Sequence, residues 1–331
     1  MSLHPHKAIW ISWYPHRRTS GICQEWGVPL KVIDSSRDGV IGWLCKGLKT
    51  LNMLRRWKPE VLFVQNPSLG LTILAVLSRS YFKYFLVVDA HNEGVKPFVR
   101  SSTFVRRLVR FLLKHADRTI VTNESLARVV TEVGGRAIIL PDPLPAPTFT
   151  PEYKTFDQQQ TNNVVVICTY APDEPISDIL AAAEKLPDKS FVCTGNIEKF
   201  NRLGLSAPGN VRFTGFLPDK DYWALLLSAD VICDLTLMPD CLVCGAYEAL
   251  AVGRPMVLSA NSATRELFGS VAILSEPTPS TIAGALKYAI DNKSELSKKT
   301  AKEAEVYKVK WTSRSEQCVK TIKSEIARQD H

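Results

Sequence analysis

Asp240-Cys-Leu-Val-Cys-Gly-Ala-Tyr-Glu248 runs directly into Ala249-Leu-Ala-Val-Gly-Arg-Pro-Met-Val-Leu258. Two carboxylates stand eight positions apart with the small residues Gly245 and Ala246 between them, and a Gly-x-Pro break leads into an apolar run. Such a run reads as a buried strand. The local reading is a loop carrying one acid, then a short helix carrying the other. A helix start presents backbone N–H groups that attract anions, phosphate above all. Carboxylates beside it hold hydroxyls rather than more phosphate. The expected ligand is therefore both phosphorylated and polyhydroxylated, which a nucleotide sugar is.

Around this stretch, the second half of the chain alternates apolar runs (Val164–Thr169, Ser190–Thr194, Val211–Thr214, Val231–Leu235, Pro255–Ser259, Val271–Leu274) with helix-like stretches such as Ser177–Leu186, Asp219–Ser228 and Ser280–Asp291. The first half does the same, with runs at Ala8–Trp13, Val61–Gln65, Phe85–Asp89, Arg118–Thr122 and Ala137–Leu140. Near-continuous apolar strands separated by amphipathic helices predict parallel sheets covered on both faces. Between the halves lie Pro141-Asp-Pro-Leu-Pro-Ala-Pro147 and the polar Asp157-Gln-Gln-Gln-Thr-Asn-Asn163, too proline-broken and too polar for a core. The expectation is an α/β chain of two doubly wound Rossmann-like domains, residues 1–147 and 164–305. A linker at 148–163 joins them, and a C-terminal helix at 306–331 packs back on the first domain. Ligands of open parallel sheets bind beyond the carboxyl ends of the strands. Two such domains facing a central cleft supply separate donor and acceptor surfaces.

A length of 331 residues accommodates two domains, and 45% hydrophobic with 22% charged residues is an ordinary globular balance. The net charge of +8 is concentrated: seven basic residues lie between Lys96 and Arg118 against the single Asp117. Such a surface suits an anionic lipid or a phosphorylated substrate, and nothing beyond net charge speaks for nucleic acid. The eight cysteines fall mostly in apolar runs, where thiols act as small hydrophobes, and no secretory leader is evident, so a reduced cytoplasmic setting is expected. Cys241 and Cys244 form a lone C-x-x-C without the second pair that a zinc site needs, so no metal is expected. The most apolar region, Leu69–Val88, is broken by Ser78-Arg79-Ser80 and Lys83, too soon for a membrane span.

The Asp240–Pro255 stretch resembles the Glu-x7-Glu region of retaining GT-B glycosyltransferases, the glycosyltransferase family 4-like group. Asp240 stands in place of the first Glu, and Cys241, Leu242 and Val243 replace the usual Gly-Phe-Gly. Glu248 and the Ala-x-Gly-x-Pro element at Ala251, Gly253 and Pro255 are intact. The resemblance implies a glycosyltransferase of hexosyltransferase type, acting with retention and without a metal or other cofactor. Its donor would be a nucleotide-diphosphate sugar and its acceptor a glycan or lipid-linked glycan. Glu248 would accept hydrogen bonds from ribose hydroxyls, and Asp240 would hold sugar hydroxyls or lie near the anomeric carbon. Cys244, Gly245 and Ala246 would open the phosphate-binding helix. The strand-ending glycines Gly195, followed by Asn196, and Gly215, followed by Phe216, resemble the family's paired elements, with Phe216 facing the nucleobase. Both glycines are equally readable as ordinary turn residues.

In the first domain, Gln65-Asn66-Pro67 and Asp89-Ala-His91-Asn92 resemble the N-terminal half of chitobiosyl-lipid mannosyltransferases, which invert rather than retain. His91 would orient an acceptor hydroxyl or hydrogen-bond the donor sugar, with Asn92 on the acceptor side; alternatively both residues cap the turn after the strand. His16-Arg-Arg-Thr-Ser-Gly21 occupies the position of the family's Gly-rich loop, of which Gly21 remains, on the acceptor side. The family's Arg and Lys near the start of the second domain are absent, since that loop reads Tyr170-Ala-Pro-Asp-Glu-Pro175. Arg17, Arg18 or Arg254 is the expected substitute for gripping diphosphate, the alternative being weak donor binding. On Thr103–His115, Phe104, Leu108 and Leu112 share one face with Val105 and Val109 beside them, while Arg107, Arg110 and Lys114 lie on another. A peripheral contact with an anionic membrane on its cytoplasmic face follows, the alternative being a sheet-covering helix with a wet basic side. The rival functions are a non-hydrolysing sugar-nucleotide epimerase and a catalytically inactive partner subunit. A nicotinamide-dependent dehydrogenase lacks its G-x-G-x-x-G after any strand.

Overall fold

Val61–Asn66 and Phe85–Ala90 are buried at every position. Strands with water on neither face belong at the centre of a sheet with helices on both sides. The computed structural model describes residues 7–37, 39–66, 68–97, 101–147 and 163–329. They divide into two compact units, one built from residues 1–143 and 310–331, the other from 144–309. Residues 148–162 of the expected linker lie outside the described residues, as does Pro67.

The first unit runs β1 (Ala8–Ser12), α1 (Arg17–Trp26), β2 (Leu30–Val32), α2 (Gly39–Trp57), β3 (Val61–Asn66), α3 (Leu69–Phe82), β4 (Phe85–Ala90), α4 (Asn92–Val95), α5 (Thr103–His115), β5 (Arg118–Val121), α6 (Glu124–Glu132) and β6 (Ala137–Ile139). Its six strands pair in parallel in the order β2-β1-β3-β4-β5-β6. Right-handed crossovers put α1 on one face and α2, α3, α5 and α6 on the other. The core packs Ile9, Ile11, Leu62, Val64, Leu86 and Val88 of the sheet against Leu54, Leu71, Val109 and Leu126 of the helices.

The second unit runs β7 (Asn163–Val166), α7 (Ile176–Glu184), β8 (Ser190–Thr194), α8 (Ile197–Arg202), β9 (Val211–Gly215), α9 (Asp219–Ser228), β10 (Val231–Asp234), α10 (Cys244–Val252), β11 (Met256–Ser259), α11 (Ser262–Phe268), β12 (Ile273–Ser275) and α12 (Pro279–Asp291). Its parallel order is β12-β11-β10-β7-β8-β9. The chain direction reverses between β7 and β10, and this switch point is where an open α/β sheet leaves a crevice beyond its carboxyl edge. The fold is the doubly wound α/β architecture that the periodicity predicts, twice over.

α13 (Lys293–Gln329) closes the chain. Its last part belongs to the first unit, where Trp311 Nε1 donates to the Pro141 carbonyl (2.9 Å) and Trp26 Nε1 to Ser315 Oγ (2.7 Å). Arg118 Nε donates to Glu325 Oε2 at 2.7 Å.

Two readings of the first unit change. His16–Gly21 is not a loop: the helix α1 begins at Arg17 and ends on the left-handed Gly27. Gly21 lies inside it, where an added Cβ would meet Pro143 Cγ at 3.0 Å, so this glycine permits close packing rather than loop flexibility. On α5 the buried residues are Val109, Leu112 and Leu113, whereas Phe104 at the first turn is 73% exposed. Phe104 therefore falls on the outer side with Phe111, not on the sheet-covering face.

Candidate functional site

Beyond the carboxyl ends of β7 and β10, acids gather. The loop after β7 carries Asp173 and Glu174, β10 ends on Asp234, the loop after it carries Asp240, and α10 carries Glu248. The two loops are joined across the switch point, since Thr236 Oγ1 donates to Asp173 Oδ2 (2.8 Å) and Leu237 N to the Asp173 carbonyl (2.6 Å). Glu174 folds back onto its own loop, accepting from Thr169 N, Thr169 Oγ1 and Tyr170 N at 2.6–3.0 Å. Tyr170 and Asp240 hold left-handed backbone conformations, φ +57° and +62°. Both residues flank the crevice, and such conformations persist only where the surroundings impose them.

Glu248 is buried on α10 and accepts from the Tyr222 hydroxyl of α9 at 2.5 Å. Asp240 Oδ1 accepts from Ser262 Oγ at 2.5 Å, which fixes its loop to the start of α11. Asn261 Nδ2 donates to the Cys241 carbonyl (3.0 Å) and secures the same loop one residue on. Cys244 opens α10 and is exposed; Gly245 and Ala246 behind it are buried. Asp234 Oδ2 accepts from Gly245 N at 2.8 Å, so a carboxyl group already sits at this helix start. A Cβ on Gly245 would stand 2.4 Å from that oxygen and 2.7 Å from Ile167 Cδ1, which accounts for glycine here. Burial, with Glu174, Glu248 and Asp173 nearby, pushes the Asp234 carboxyl up to about 8 against the opposing Gly245 hydrogen bond. At neutral pH it is largely an uncharged acid, able to donate as well as accept. Sequence reading overlooked Asp234 and Tyr222. Asp234 meets Gly245 across eleven positions and Tyr222 meets Glu248 across twenty-six, separations at which no local pattern signals contact.

Gly195 follows β8 at φ +96°, and a Cβ there would lie 2.3 Å from the Cys168 carbonyl oxygen, so the close approach of the two segments beyond the strand ends requires glycine. Asn196 Oδ1 caps α8 by accepting from Glu198 N (2.8 Å). Phe216, just after the left-handed Gly215, is 89% exposed. Arg254 lies at the opposite edge of this sheet, between α10 and the start of β11, and its guanidinium donates to the Leu227 carbonyl. It is thereby removed from the phosphate candidates, because the crevice is at the carboxyl edge.

The first unit has its own polar cluster at the carboxyl ends of β1, β3 and β4. Arg18 is buried, with Nε and Nη2 on Asp89 (3.0–3.3 Å), Nη1 on Asp142 (2.6 Å) and Nη2 on the Leu140 carbonyl (2.9 Å). Its donor fork is consumed in joining α1 to the ends of β4 and β6, which rules it out as a diphosphate ligand. Burial opposes ionisation of Asp89, but the neighbouring Arg18, then His91, hold its carboxyl below the usual range. Arg17, one residue earlier, is exposed at the start of α1. His91 Nε2 lies 3.7 Å from Asp89 Oδ2, and its ring packs tilted against that of His16, with 4.5 Å between ring centres. Burial, then the His91 ring, lowers the His16 imidazole to about 4, so it is neutral at physiological pH. His91 occupies the N-cap of α4 without its side chain capping it, and Asn92 opens that helix. The histidine is therefore not held there as a cap. Asn66 instead secures the turn, with Nδ2 on the Gly94 carbonyl (3.1 Å). His16 escaped the sequence reading because its partner is seventy-five positions away.

Among the described residues, no group of three or more His, Cys, Asp or Glu side chains is arranged to hold a metal ion. No helix is long and apolar enough to cross a membrane, again among the described residues.

Residues 156–307 match the sequence model of the family described as glycosyl transferases group 1. The second unit is similar to this family along most of its length. The match holds the Asp240–Glu248 stretch and the whole switch-point crevice. No curated protein matches the chain in sequence. Among solved structures, HepE of Anabaena in complex with UDP and glucose superposes with TM-score 0.70 at 15% identity, covering 96% of this chain and 100% of its own. Sucrose-phosphate synthase of Thermosynechococcus elongatus gives TM-score 0.75 at 15% identity, with 97% and 99% covered. A putative UDP-N-acetylglucosamine 2-epimerase of Listeria monocytogenes gives 0.58 at 12% identity, with 89% and 91% covered. At such identities the likeness establishes the fold, the two-Rossmann GT-B architecture.

Proposed function

We propose that this chain transfers a sugar from a nucleotide-diphosphate sugar to a hydroxyl of a glycan or lipid-linked glycan, with retention at the anomeric carbon. The observation that carries the reading is Glu248, a buried carboxylate beside the switch-point crevice of the unit similar to group 1 glycosyltransferases. HepE, with the same fold, is known with UDP and with UDP-glucose. In the reaction the bond from anomeric carbon to diphosphate oxygen breaks and the nucleoside diphosphate leaves with the electron pair. The acceptor oxygen bonds to the anomeric carbon, and its proton passes to the departing diphosphate oxygen. Glu248 accepts from the ribose hydroxyls, and Asp240 from those of the donor sugar. The exposed Phe216 ring meets the nucleobase, with Gly195 and Asn196 shaping the neighbouring loop. The start of α10 at Cys244–Ala246, where uncharged Asp234 does not repel an anion, receives phosphate. Arg17 remains the basic candidate for the diphosphate. His91, oriented by Asp89, holds the acceptor hydroxyl, with Asn92 beside it. Positioning and stabilisation of the leaving group by donors then suffice without a metal. The acceptor is presented at an anionic membrane surface on the cytoplasmic side, which the Thr103–His115 helix meets.

One observation favours a second reading, a catalytically inactive partner subunit. Asp173 and Glu174 stand where the resembling family has basic residues, and Arg18 and Arg254 are committed elsewhere. A thermal-shift screen of nucleoside diphosphates and their sugars tests the first reading, because a ligand bound only by the folded state raises the melting temperature. Stabilisation by one nucleoside diphosphate and its sugar is expected. Binding without turnover on any acceptor supports the partner subunit, turnover of the sugar nucleotide without an acceptor an epimerase, and no shift with any nucleotide contradicts donor binding.

A further inference from the structure

α2 is built inside out over its first turns. Gly42, Lys46 and Thr50 are buried, while Val40, Ile41, Leu44 and Leu48 point to solvent with exposures of 76, 58, 60 and 68%. Lys46 is held inward by Asp34 (3.6 Å) and by the Tyr14 ring (4.4 Å to its centre). A helix whose only task is to cover its own sheet puts its leucines inward. Four outward aliphatics at one end of a helix form a ridge, and ridges of this kind mark a surface that meets an apolar partner.

The ridge does not stand alone. Trp43 of α2 packs directly on Gly70 of α3, where a Cβ would overlap the indole. Arg79 of α3 reaches the carbonyl of His115 at the end of α5 (3.1 Å). The outer side of α3 adds Leu77 and Tyr81, and that of α5 adds Phe104 and Phe111, all exposed. None of the three helices contains an Asp or Glu. Exposed basic residues border the apolar ones, Lys49, Arg55 and Arg56 on α2 and Arg106, Arg107, Arg110 and Lys114 on α5. Beside the ridge, between β2 and the later turns of α2, is a cavity of about 500 Å³ whose charged lining is Lys31, Lys49 and Arg56 against the single acid Asp34.

We propose that this face of the first unit, with the α2 ridge as its embedding element, seats the protein on an anionic lipid bilayer. The charge pattern selects the occupant. A second copy brought face to face would set basic surface against basic surface, which an isologous contact cannot avoid. An anionic bilayer offers phosphate to the rim and hydrocarbon to the ridge. The proposal deepens the reading of a membrane-presented acceptor and rests on it. It also moves the insertion from α5 to α2, leaving α5 to contribute Phe104, Phe111 and charge.

The test uses the purified full chain without donor or acceptor, so failure of the sugar-transfer reading leaves its outcome unaffected. Cosedimentation at low ionic strength is measured with phosphatidylcholine vesicles, with and without phosphatidylglycerol. Binding to the anionic vesicles only is expected. The double substitution Leu44→Ser, Leu48→Ser should weaken it by roughly a hundredfold, as should Arg107→Gln, Arg110→Gln, Lys114→Gln. Added salt should reproduce the second effect and only part of the first. Both variants alter exposed side chains and should keep the wild-type melting temperature. The proposal is overturned if the wild type ignores anionic vesicles at low salt, or if the leucine pair can be replaced without loss of binding. It is also overturned if sedimentation velocity shows a dimer that the leucine substitutions dissociate, since a second copy then covers the ridge.

Discussion

Glu248 is buried and accepts a 2.5 Å hydrogen bond from Tyr222, so only a substitute that keeps this acceptor reads out ligand contacts without a cost to the fold. Glutamine keeps the oxygen that Tyr222 needs and removes the charge that ribose hydroxyls would meet. Glu248→Gln should therefore cost about 2–3 kcal/mol of nucleoside-diphosphate affinity while the melting temperature stays near that of the wild type. Calorimetric titration checks this, and an unchanged affinity would remove Glu248 from the site. Asp234 makes a different prediction because its carboxyl is pushed up to about 8. An acid whose folded value lies above its unfolded one binds more protons when folded, so its contribution to stability is lost as pH rises between about 4 and 8. Asp234→Asn keeps an acceptor for Gly245 N–H without that penalty. Relative to wild type the variant should gain stability across this window, by at most about 1.4 kcal/mol per pH unit. Urea denaturation at pH 5 and pH 8 measures it; an equal difference at both values would contradict a raised carboxyl.

Among the elements, α10 shows how packing fixes a sequence choice. An alanine is worth about 1 kcal/mol more than glycine inside a helix, but at Gly245 its Cβ would press on Asp234 and Ile167. Gly245→Ala should destabilise by about 1–3 kcal/mol and displace the helix start, lowering nucleotide affinity with it. Gly284→Ala on α12, where nothing lies within 4 Å of the new Cβ, should instead stabilise by about 0.5–1 kcal/mol. Thermal unfolding of the two variants settles the sign of each. At this scale the sequence is partly readable. The long central strands and α10 announce themselves by apolar runs and by the Gly253-Arg-Pro255 break. β2 does not, because it is a three-residue edge strand with Lys31 and Val32 exposed. α1 was hidden because His16–Gly21 has no apolar period, and the α2 ridge defeats any inference that leucines point inward.

For the whole molecule, periodicity suffices to give two parallel sheets, since each strand and its helix are contiguous in sequence. The polar clusters are not contiguous. Arg18 reaches Asp89 and Asp142 across 71 and 124 positions, so its loss as a phosphate ligand follows only from the folded chain. In the same way the acids of the second unit come from two loops, one strand end and one helix that only the switch point brings together. In the proposed reaction these acids hold hydroxyls rather than a metal, so sugar transfer should be unchanged by EDTA; loss of activity with rescue by a divalent ion would show a metal requirement.

The proposed transfer depends first on binding of a nucleotide-activated sugar by the second unit. Calorimetric titration of the full chain with a panel of nucleoside diphosphates and their sugars, in EDTA, tests it most directly. Saturable one-to-one binding of one base is expected, with a Kd below ~1 mM, displaced competitively by the corresponding nucleotide sugar and weakened by Glu248→Gln. Heat no greater than dilution for every nucleotide in the panel would contradict it.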